Sequence, residues 1–126
     1  MNEKEAMIRL KMLEQQAAQA EQRLAQLNTI IQENELTISS VEQLDKSEQG
    51  YSTLGSGVYA KSKITDKDIV LLNLGVGILA EVKTERAKKY LEQAQENLQK
   101  EQQNLVNMLN QIQEKYSDII NEQQKG

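Results

Sequence analysis

A run of apolar residues with alternating spacings of three and four extends from Leu10 to Val41. Nine of its ten positions are apolar, and such a repeat sustained over more than four heptads predicts a coiled-coil helix. We expect this helix to span residues 2 to 46, about 65 Å at 1.5 Å per residue. A helix of that length must project and pack along a partner helix. The ten seam positions are Leu10, Leu13, Ala17, Ala20, Leu24, Leu27, Ile31, Asn34, Ile38 and Val41.

Asn34 is the single polar residue of this seam. A polar side chain at such a position fixes the register or the partner of a coiled coil and lowers its stability. We expect this structural role for Asn34.

A second amphipathic helix is predicted to begin near Thr84, a residue type that caps helices, with Glu85 in the first turn. Leucine and isoleucine recur every seven residues along one line of this helix. A second line of seam residues should lie between them, and two sets of residues could form it. The constant line is Leu91, Leu98, Leu105, Ile112 and Ile119; the two candidate sets are Ala94, Glu101, Met108, Lys115 and Gln95, Gln102, Leu109, Tyr116. Two long helices joined by a short segment most simply fold back as an antiparallel pair.

The middle segment changes to a period of two. Val58 to Ile64 and Ile78 to Lys83 alternate in polarity, residues 65–68 offer turn chemistry, and the glycines of Gly75-Val76-Gly77 suit a tight reversal. With a further strand from Tyr51 to Leu54, this pattern predicts two β-hairpins. The run from Ile69 to Leu74 is apolar on both faces, as in a strand covered on both sides.

Two isolated hairpins cannot bury their apolar faces or satisfy their strand edges in water. We therefore expect an obligate oligomer assembled through the strands. The residues expected to make this contact are Val58, Ile64, Ile69, Val70, Leu71, Leu72, Leu74, Ile78, Leu79 and Val82. The predicted fold class is α+β and mainly α: a long antiparallel coiled coil (1–48 and 84–126) joined by two hairpins (50–83).

Composition excludes several functional classes. The chain has no Cys and no His, which removes the usual zinc ligands and thiolate chemistry, and we expect no metal or cofactor. The net charge of −4 with no basic block argues against nucleic acid as a partner. No stretch approaches the roughly 20 apolar residues of a membrane span or forms a signal sequence, so we expect a cytoplasmic protein without a membrane partner.

The central residues resemble those of a known family. Three parts of the chain are similar to the alpha subunit of archaeal-type prefoldins. They are the stretch from Leu54 to Ile64 with its Gly55-Ser56-Gly57 turn, the stretch from Val70 to Glu81 with its second glycine turn, and then Ala87 and Tyr90-Leu91. The resemblance implies a hexamer of two alpha and four beta subunits, in which the hairpins form a β-barrel platform and a second alpha subunit lies at the centre. It also implies an ATP-independent holdase that captures unfolded client proteins and delivers them to a group II chaperonin.

In an antiparallel helix pair, residues 1–13 and 112–126 are neighbours, and this end carries more apolar side chains than its seam needs. Flexible Met side chains suit contact with many unfolded chains. The client-binding residues predicted there are Met7, Ile8, Met12, Tyr116, Ile119 and Ile120. For the first three, a wider seam at a fraying helix end is the alternative explanation. For the other three the alternative is structural, since Ile119 is a seam residue in either register and would be partly buried against the first helix.

Other interpretations of the chain have less support. The glycine turns lead into predicted strands, whereas a phosphate-binding loop opens a helix. Carboxylate pairs such as Asp66 and Asp68 lie in a predicted exposed turn, which favours a solvated role. The sequence offers no nucleophile–base pair that would indicate an enzyme. A structural or tethering coiled-coil oligomer without client-holding activity is the remaining alternative to a holdase.

Overall fold

The computed structural model describes residues 2–46 and 49–125. In chain order, the elements are helix α1 (Glu3–Glu42), a 3₁₀ turn (Leu44–Lys46), strands β1 (Gln49–Gly55), β2 (Val58–Lys63), β3 (Ile69–Asn73) and β4 (Leu79–Lys83), and helix α2 (Thr84–Lys125). The predicted mainly helical α+β fold is confirmed. Met1, Ser47, Glu48 and Gly126, which belong to the predicted helical segments, lie outside the described residues.

The chain divides into two compact units. One contains the chain up to Gln32 and from Glu96 onward, and the other is Glu33–Gln95. In the first unit the two helices are antiparallel, because Glu14 contacts Tyr116 whereas Arg23, further along α1, contacts Glu101. The second unit contains the end of α1, the four strands and the start of α2.

The seam predicted for α1 is confirmed. All ten of its positions are buried or half-buried, and the seam begins one turn earlier than expected, at the buried Ala6. Leu27 is fully buried. On α2, Leu91, Leu98, Leu105, Ile112 and Ile119 are likewise buried or half-buried.

The structure favours one of the two candidate lines of α2. Gln95, Gln102, Leu109 and Tyr116 are all buried or half-buried, whereas in the competing set Ala94 and Glu101 are half-buried and Met108 and Lys115 are exposed. Two glutamines can occupy these positions because each forms hydrogen bonds to the facing helix. In the first unit, Gln102 Nε2 donates to Asn28 Oδ1 at 2.7 Å, which satisfies polar groups that partial burial would otherwise penalise.

In the second unit, Asn34 is part of a polar layer between the helices. Its Nδ2 donates to the Leu91 carbonyl at 3.0 Å and to Gln95 Oε1 at 2.9 Å, and Gln95 Nε2 donates to Glu35 Oε1 at 3.1 Å. A one-residue slip of either helix would break these bonds. The layer therefore specifies the register, as expected for a polar seam residue.

The helix ends differ from the sequence prediction in two details. The α-helix of α1 ends at Glu42 rather than continuing to residue 46, because the Gln43 N–H is shared between the carbonyls of Ser39 and Ser40 and the chain tightens into a 3₁₀ turn. At the start of α2, the Thr84 hydroxyl, expected as a cap, donates to the Lys67 carbonyl at 2.7 Å. This bond fixes the loop between β2 and β3 to the start of α2.

The strands form two separate antiparallel hairpins. In the first hairpin (β1–β2) the cross-strand partners run from Gln49↔Lys63 to Gly55↔Val58, with a bulge after Thr53. In the second hairpin (β3–β4) they run from Ile69↔Lys83 to Asn73↔Leu79. The turn chemistry predicted for residues 65–68 is present, since the Asp66 carboxylate accepts a hydrogen bond from the Asp68 N–H at 2.9 Å.

Candidate functional site

The two hairpins expose an unusually apolar surface. The exposed large apolar and aromatic side chains, which we call the hairpin surface, are Tyr51, Leu54, Val58, Tyr59, Ile69, Leu71, Leu74, Val76, Ile78 and Leu79. Many exposed large apolar side chains on a folded chain indicate an interaction site. Exposed strand edges add unpaired backbone groups that favour pairing with another chain.

The two faces of the second hairpin differ in exposure and polarity. Val70 pairs with Val82 and Leu72 with Ala80, and these four side chains are half-buried. On the opposite face Leu71 is 61% exposed, and its three cross-strand pairs, Ile69 with Lys83, Leu71 with Glu81 and Leu79 with Asn73, are all exposed. One face is therefore partly covered within the subunit, while the other remains in contact with solvent.

The first hairpin differs in chemistry. One face carries Gly50, Ser52, Ala60 and Ser62, with a hydrogen bond of 2.8 Å between the Ser52 and Ser62 hydroxyls. The other face carries three cross-strand pairs that are all exposed: Gln49 with Lys63, Tyr51 with Lys61, and Thr53 with Tyr59. This second face is aromatic and basic.

Both hairpins turn through glycine loops of the same conformation. The φ angles of Gly55, Ser56 and Gly57 are 99°, 51° and 80°, and those of Gly75, Val76 and Gly77 are 99°, 52° and 76°. Glycine accepts such positive φ values freely, but a β-branched residue there is strained. Val76 holds this conformation while its side chain is fully exposed.

Of the ten hairpin residues predicted as oligomerisation contacts, six are exposed and four are half-buried. The exposed ones are Val58, Ile69, Leu71, Leu74, Ile78 and Leu79; the half-buried ones are Ile64, Val70, Leu72 and Val82. The sequence prediction did not include Tyr51, Leu54, Tyr59 and Val76. The pairing register, with its bulge after Thr53, places Tyr51 and Tyr59 on one face of the first hairpin.

A second exposed apolar surface lies near the start of α1 in the first unit. Met7, Ile8 and Met12, which we call the terminal surface, are 60%, 53% and 54% exposed, because they lie off the seam of Ala6, Leu10 and Leu13. The predicted client-binding residues on α2 are less accessible. Tyr116 and Ile120 are half-buried, and Ile119 is buried at 8% exposure.

An open groove adjoins the terminal surface, with a volume of about 570 Å³. Met12, Leu13 and Ile119 supply its apolar lining. Its remaining lining residues are Arg9, Gln16, Lys115, Asp118 and Glu122. A pocket of mixed charge around an apolar centre can accept apolar side chains of varied sequence.

Polar bonds join the two helices in the first unit. Arg23 donates two hydrogen bonds to the Glu101 carboxylate, at 2.9 Å and 3.2 Å, and this contact lowers the pKa of Glu101 and raises the pKa of Arg23. The Tyr116 hydroxyl donates to Glu14 Oε1 at 3.0 Å, which raises the pKa of Tyr116. These bonds align the helices beside the groove.

The described residues hold neither a metal-binding cluster nor a phosphate-binding loop. Within residues 2–46 and 49–125, no group of three or more acidic side chains is placed to hold a metal ion. Both glycine loops lead towards strands, β2 and β4, so neither presents a helix N-terminus to a phosphate. Over the same residues, no helix is both long and apolar enough to cross a membrane.

The chain is similar to known proteins in both sequence and fold. Residues 13–125 match the family model for prefoldin subunits. Prefoldin subunit alpha of Archaeoglobus fulgidus is 24% identical over 106 residues, which cover 82% of this chain and 77% of the relative. A chain in the cryo-EM structure of filamentous PFD from Methanocaldococcus jannaschii superposes with a TM-score of 0.79 at 20% identity, covering 90% of this chain and 97% of that chain.

A paired-helix subunit whose two hairpins expose an apolar surface is a component of a larger assembly. More specifically, the chain belongs to the prefoldin family. Prefoldin is a chaperone family rather than an enzyme family, and its subunits form hetero-oligomeric complexes. Family membership implies a chaperone subunit role for this chain.

Proposed function

We propose that this chain is a subunit of an ATP-independent holdase in the cytoplasm. In this proposal the complex contains two alpha-type copies of this chain and four beta-type subunits, binds unfolded proteins at the terminal surface, and delivers them to a group II chaperonin. The observation that carries the proposal is the exposure of Met7, Ile8 and Met12 beside an open, partly apolar groove.

The chemistry of the terminal surface suits capture of unfolded chains. Met side chains are flexible and polarizable and can adapt to many apolar partners. Each contact is weak, because the surface is small and solvated, so several subunits must act on one client. Linking several weak sites in one complex raises the overall affinity by about 10² to 10⁴ without any new contact.

The hairpin surface is the proposed assembly site, and the ten predicted oligomerisation residues are retained in this role. Its apolar side chains exceed what an isolated subunit buries, and its strands present unpaired edges. We propose that the hairpins of several subunits join into a closed β-barrel platform. Closure would satisfy the strand edges and cover both faces of the second hairpin.

The test of client binding is suppression of aggregation. The assembled complex, added without ATP to a chemically denatured unrelated protein, is expected to reduce light scattering at substoichiometric amounts. Replacing Met7, Ile8 and Met12 together by Ser should weaken this protection several-fold while native mass spectrometry shows the same complex. A matched control replaces Ile30, Leu36 and Tyr90, also exposed apolar residues, by Ser and should leave protection unchanged.

A structural role is the second candidate. The similar structure from M. jannaschii is described as filamentous, and a rod-like assembly could tether or space other components. Native mass spectrometry and negative-stain microscopy of this chain, with and without a beta-type subunit, separate a closed complex from a filament. Full protection by the triple Ser variant would show that clients do not bind at the terminal surface, whereas no protection by the wild-type complex would favour the tethering role.

A further inference from the structure

A second cavity continues the groove beside the terminal surface. It lies further along the same two helices of the first unit, has a volume of about 510 Å³, and shares Gln16 and Lys115 with the first cavity. We call the two cavities together the flank groove. On α1 the flank groove extends from Arg9 to Arg23, which is about 21 Å at 1.5 Å per residue.

The flank groove presents a methionine side chain at two levels. Met12 lines the first cavity, and Met108, which is 47% exposed, lines the second cavity together with Gln19. Met12 and Gln19 are seven residues apart on α1, so the two levels are separated by about 10 Å, or two helical turns. The floor of the second cavity is apolar, since Ala20 and Ile112 are buried there.

The charges of the two cavities differ. In the first cavity, Arg9 and Lys115 are balanced in number by Asp118 and Glu122. In the second cavity, the cations are Lys115 and Arg23, and Arg23 is already bonded to Glu101. Lys115 forms no salt bridge within residues 2–46 and 49–125. A partner complementary to the second cavity therefore carries a carboxylate at the edge of its apolar surface.

The position of the flank groove between two helices selects the backbone conformation of its partner. An extended segment binds by pairing its backbone with an exposed strand edge, but the backbones of α1 and α2 are already hydrogen-bonded within each helix. A helix satisfies its own backbone groups, and its apolar side chains recur at i, i+3 or i+4, and i+7. That spacing of two turns matches the separation of Met12 and Met108.

Resting on the client binding proposed above, we propose that the flank groove binds an amphipathic helix of a partly folded client protein. The helix spans about 14 residues, places apolar side chains on Met12 and Met108, and places a carboxylate near Lys115. The favoured clients are then compact chains that retain helices, rather than fully extended chains. The client site includes Met108 and excludes Met7, which lies about 140° around α1 from Met12 and does not line the flank groove.

Fluorescence anisotropy of labelled synthetic peptides, titrated with the full-length chain, tests the proposal. The stripe peptide has about 14 residues, with Leu at i, i+3, i+7 and i+10 and one Glu at the edge of this stripe. A second peptide has the same composition with Leu spread around the helix. The stripe peptide is expected to bind about 10-fold more tightly than the second peptide. A third peptide, with two Pro in the polar face of the stripe peptide, cannot form the helix and should bind as weakly as the second.

Substitutions in the chain locate the binding site. Met108→Ser and Met12→Ser should each weaken binding of the stripe peptide about 5-fold, because each removes an apolar contact. Met7→Ser is the matched control, an exposed methionine of α1 outside the flank groove, and should bind like wild type. Circular dichroism checks that each variant keeps its helices.

Charge exchange tests the orientation of the bound helix. Lys115→Glu should weaken binding of the stripe peptide about 3-fold and should strengthen binding of the same peptide with Lys in place of its Glu by a similar factor. Lys100→Glu, at an exposed position of α2 outside the flank groove, should change neither.

Three results would overturn the proposal: a proline peptide that binds as tightly as the stripe peptide, a Met108→Ser variant that binds normally, or a Met7→Ser variant that loses as much affinity as Met12→Ser. The first result would assign the groove to extended chains. If the Met7/Ile8/Met12 variant also loses client protection, the holdase proposal stands while the helix site falls. A complex that protects no denatured protein, with peptide binding as expected, would instead refute the holdase and leave the helix site.

Discussion

The helices and the hairpins use apolar residues in opposite ways. Along α1, the seam positions from Ala6 to Val41 are buried or half-buried against the same chain, and most other positions are polar. In the hairpins, residues such as Leu71 and Val76 face solvent. The helical pattern is complete within one subunit, whereas the strand pattern leaves apolar side chains in solvent. Under the proposed assembly, the helices are the self-sufficient part of the molecule and the hairpins the assembling part.

The hairpins also differ from each other despite a shared backbone. The first hairpin has a small polar face and an aromatic, basic face. The second has an apolar, half-buried face and an exposed face on which Ile69, Leu71 and Leu79 pair with Lys83, Glu81 and Asn73. The two hairpins therefore share a backbone geometry, and their side chains decide what each can contact.

The comparison between helices and hairpins is tested most strongly by truncating one leucine in each. Leu27 is fully buried in the seam. Replacing it by Ala is expected to lower the free energy of unfolding by about 3 kcal/mol, because apolar contacts are lost and a cavity remains. Leu71→Ala should change the unfolding free energy of the dissociated subunit by less than about 0.5 kcal/mol. Urea denaturation at low protein concentration measures both.

The same Leu71→Ala variant should weaken assembly, measured by sedimentation at higher concentration, while Leu27→Ala that still folds should not. Leu36→Ala, at 70% exposure on α1, is the helical control and should affect neither. A large loss of subunit stability in Leu71→Ala would show that the hairpin face is covered within one chain and would remove the contrast.

The two glycine loops allow a smaller test of the difference between the hairpins. Val76→Gly is expected to increase the unfolding free energy of the dissociated subunit by about 1 kcal/mol, because the β-branched residue at φ 52° is strained and glycine is not. Ser56→Gly, at the equivalent position of the first hairpin, should give a smaller change. Thermal denaturation of the two variants beside wild type measures the difference.

If Val76→Gly destabilised the subunit, the strain assigned to the second loop would be wrong. Assembly adds information here, since a stabilised subunit that assembles less well would place Val76 in the contact between subunits. Ser56→Gly would then be the matched variant that assembles normally.

The sequence predicts the helices better than the exposed surfaces. The seam of α1 could be read directly, because burial against one partner helix imposes a strict period. The seam of α2 could not be read in this way, because the polar residues Gln95 and Gln102 occupy seam positions that are usually apolar. Their hydrogen bonds to Asn34 and Asn28 make them suitable there, and such cross-helix pairs appear only when both helices are placed together.

The period of two predicted the strands, but it did not predict which of their side chains are exposed. Tyr51 and Tyr59 belong to the hairpin surface because of the pairing register and the bulge after Thr53, and a bulge changes which residues face one another. At the start of α1, the period did separate Met7, Ile8 and Met12 from the seam. The burial of Ile119 followed from its seam position, which competed with its predicted role in client contact.

The smallest predicted effect concerns an ion pair between the two helices. Arg23 lowers the pKa of Glu101 chiefly through its hydrogen bonds. A carboxyl with a depressed folded-state pKa contributes stability that is present above its ordinary value of 4.5 and is lost as the pH falls through the lower, folded-state value. Glu101→Gln should therefore flatten the fall in unfolding free energy below pH 4.5, as measured by urea denaturation across a series of acidic buffers.

Because both side chains are 44% exposed, solvent and salt screen this pair, and the difference from wild type should shrink in concentrated NaCl. Glu21→Gln removes an exposed carboxylate of α1 and is the control for the change in net charge. An equal flattening in both variants would assign the effect to net charge.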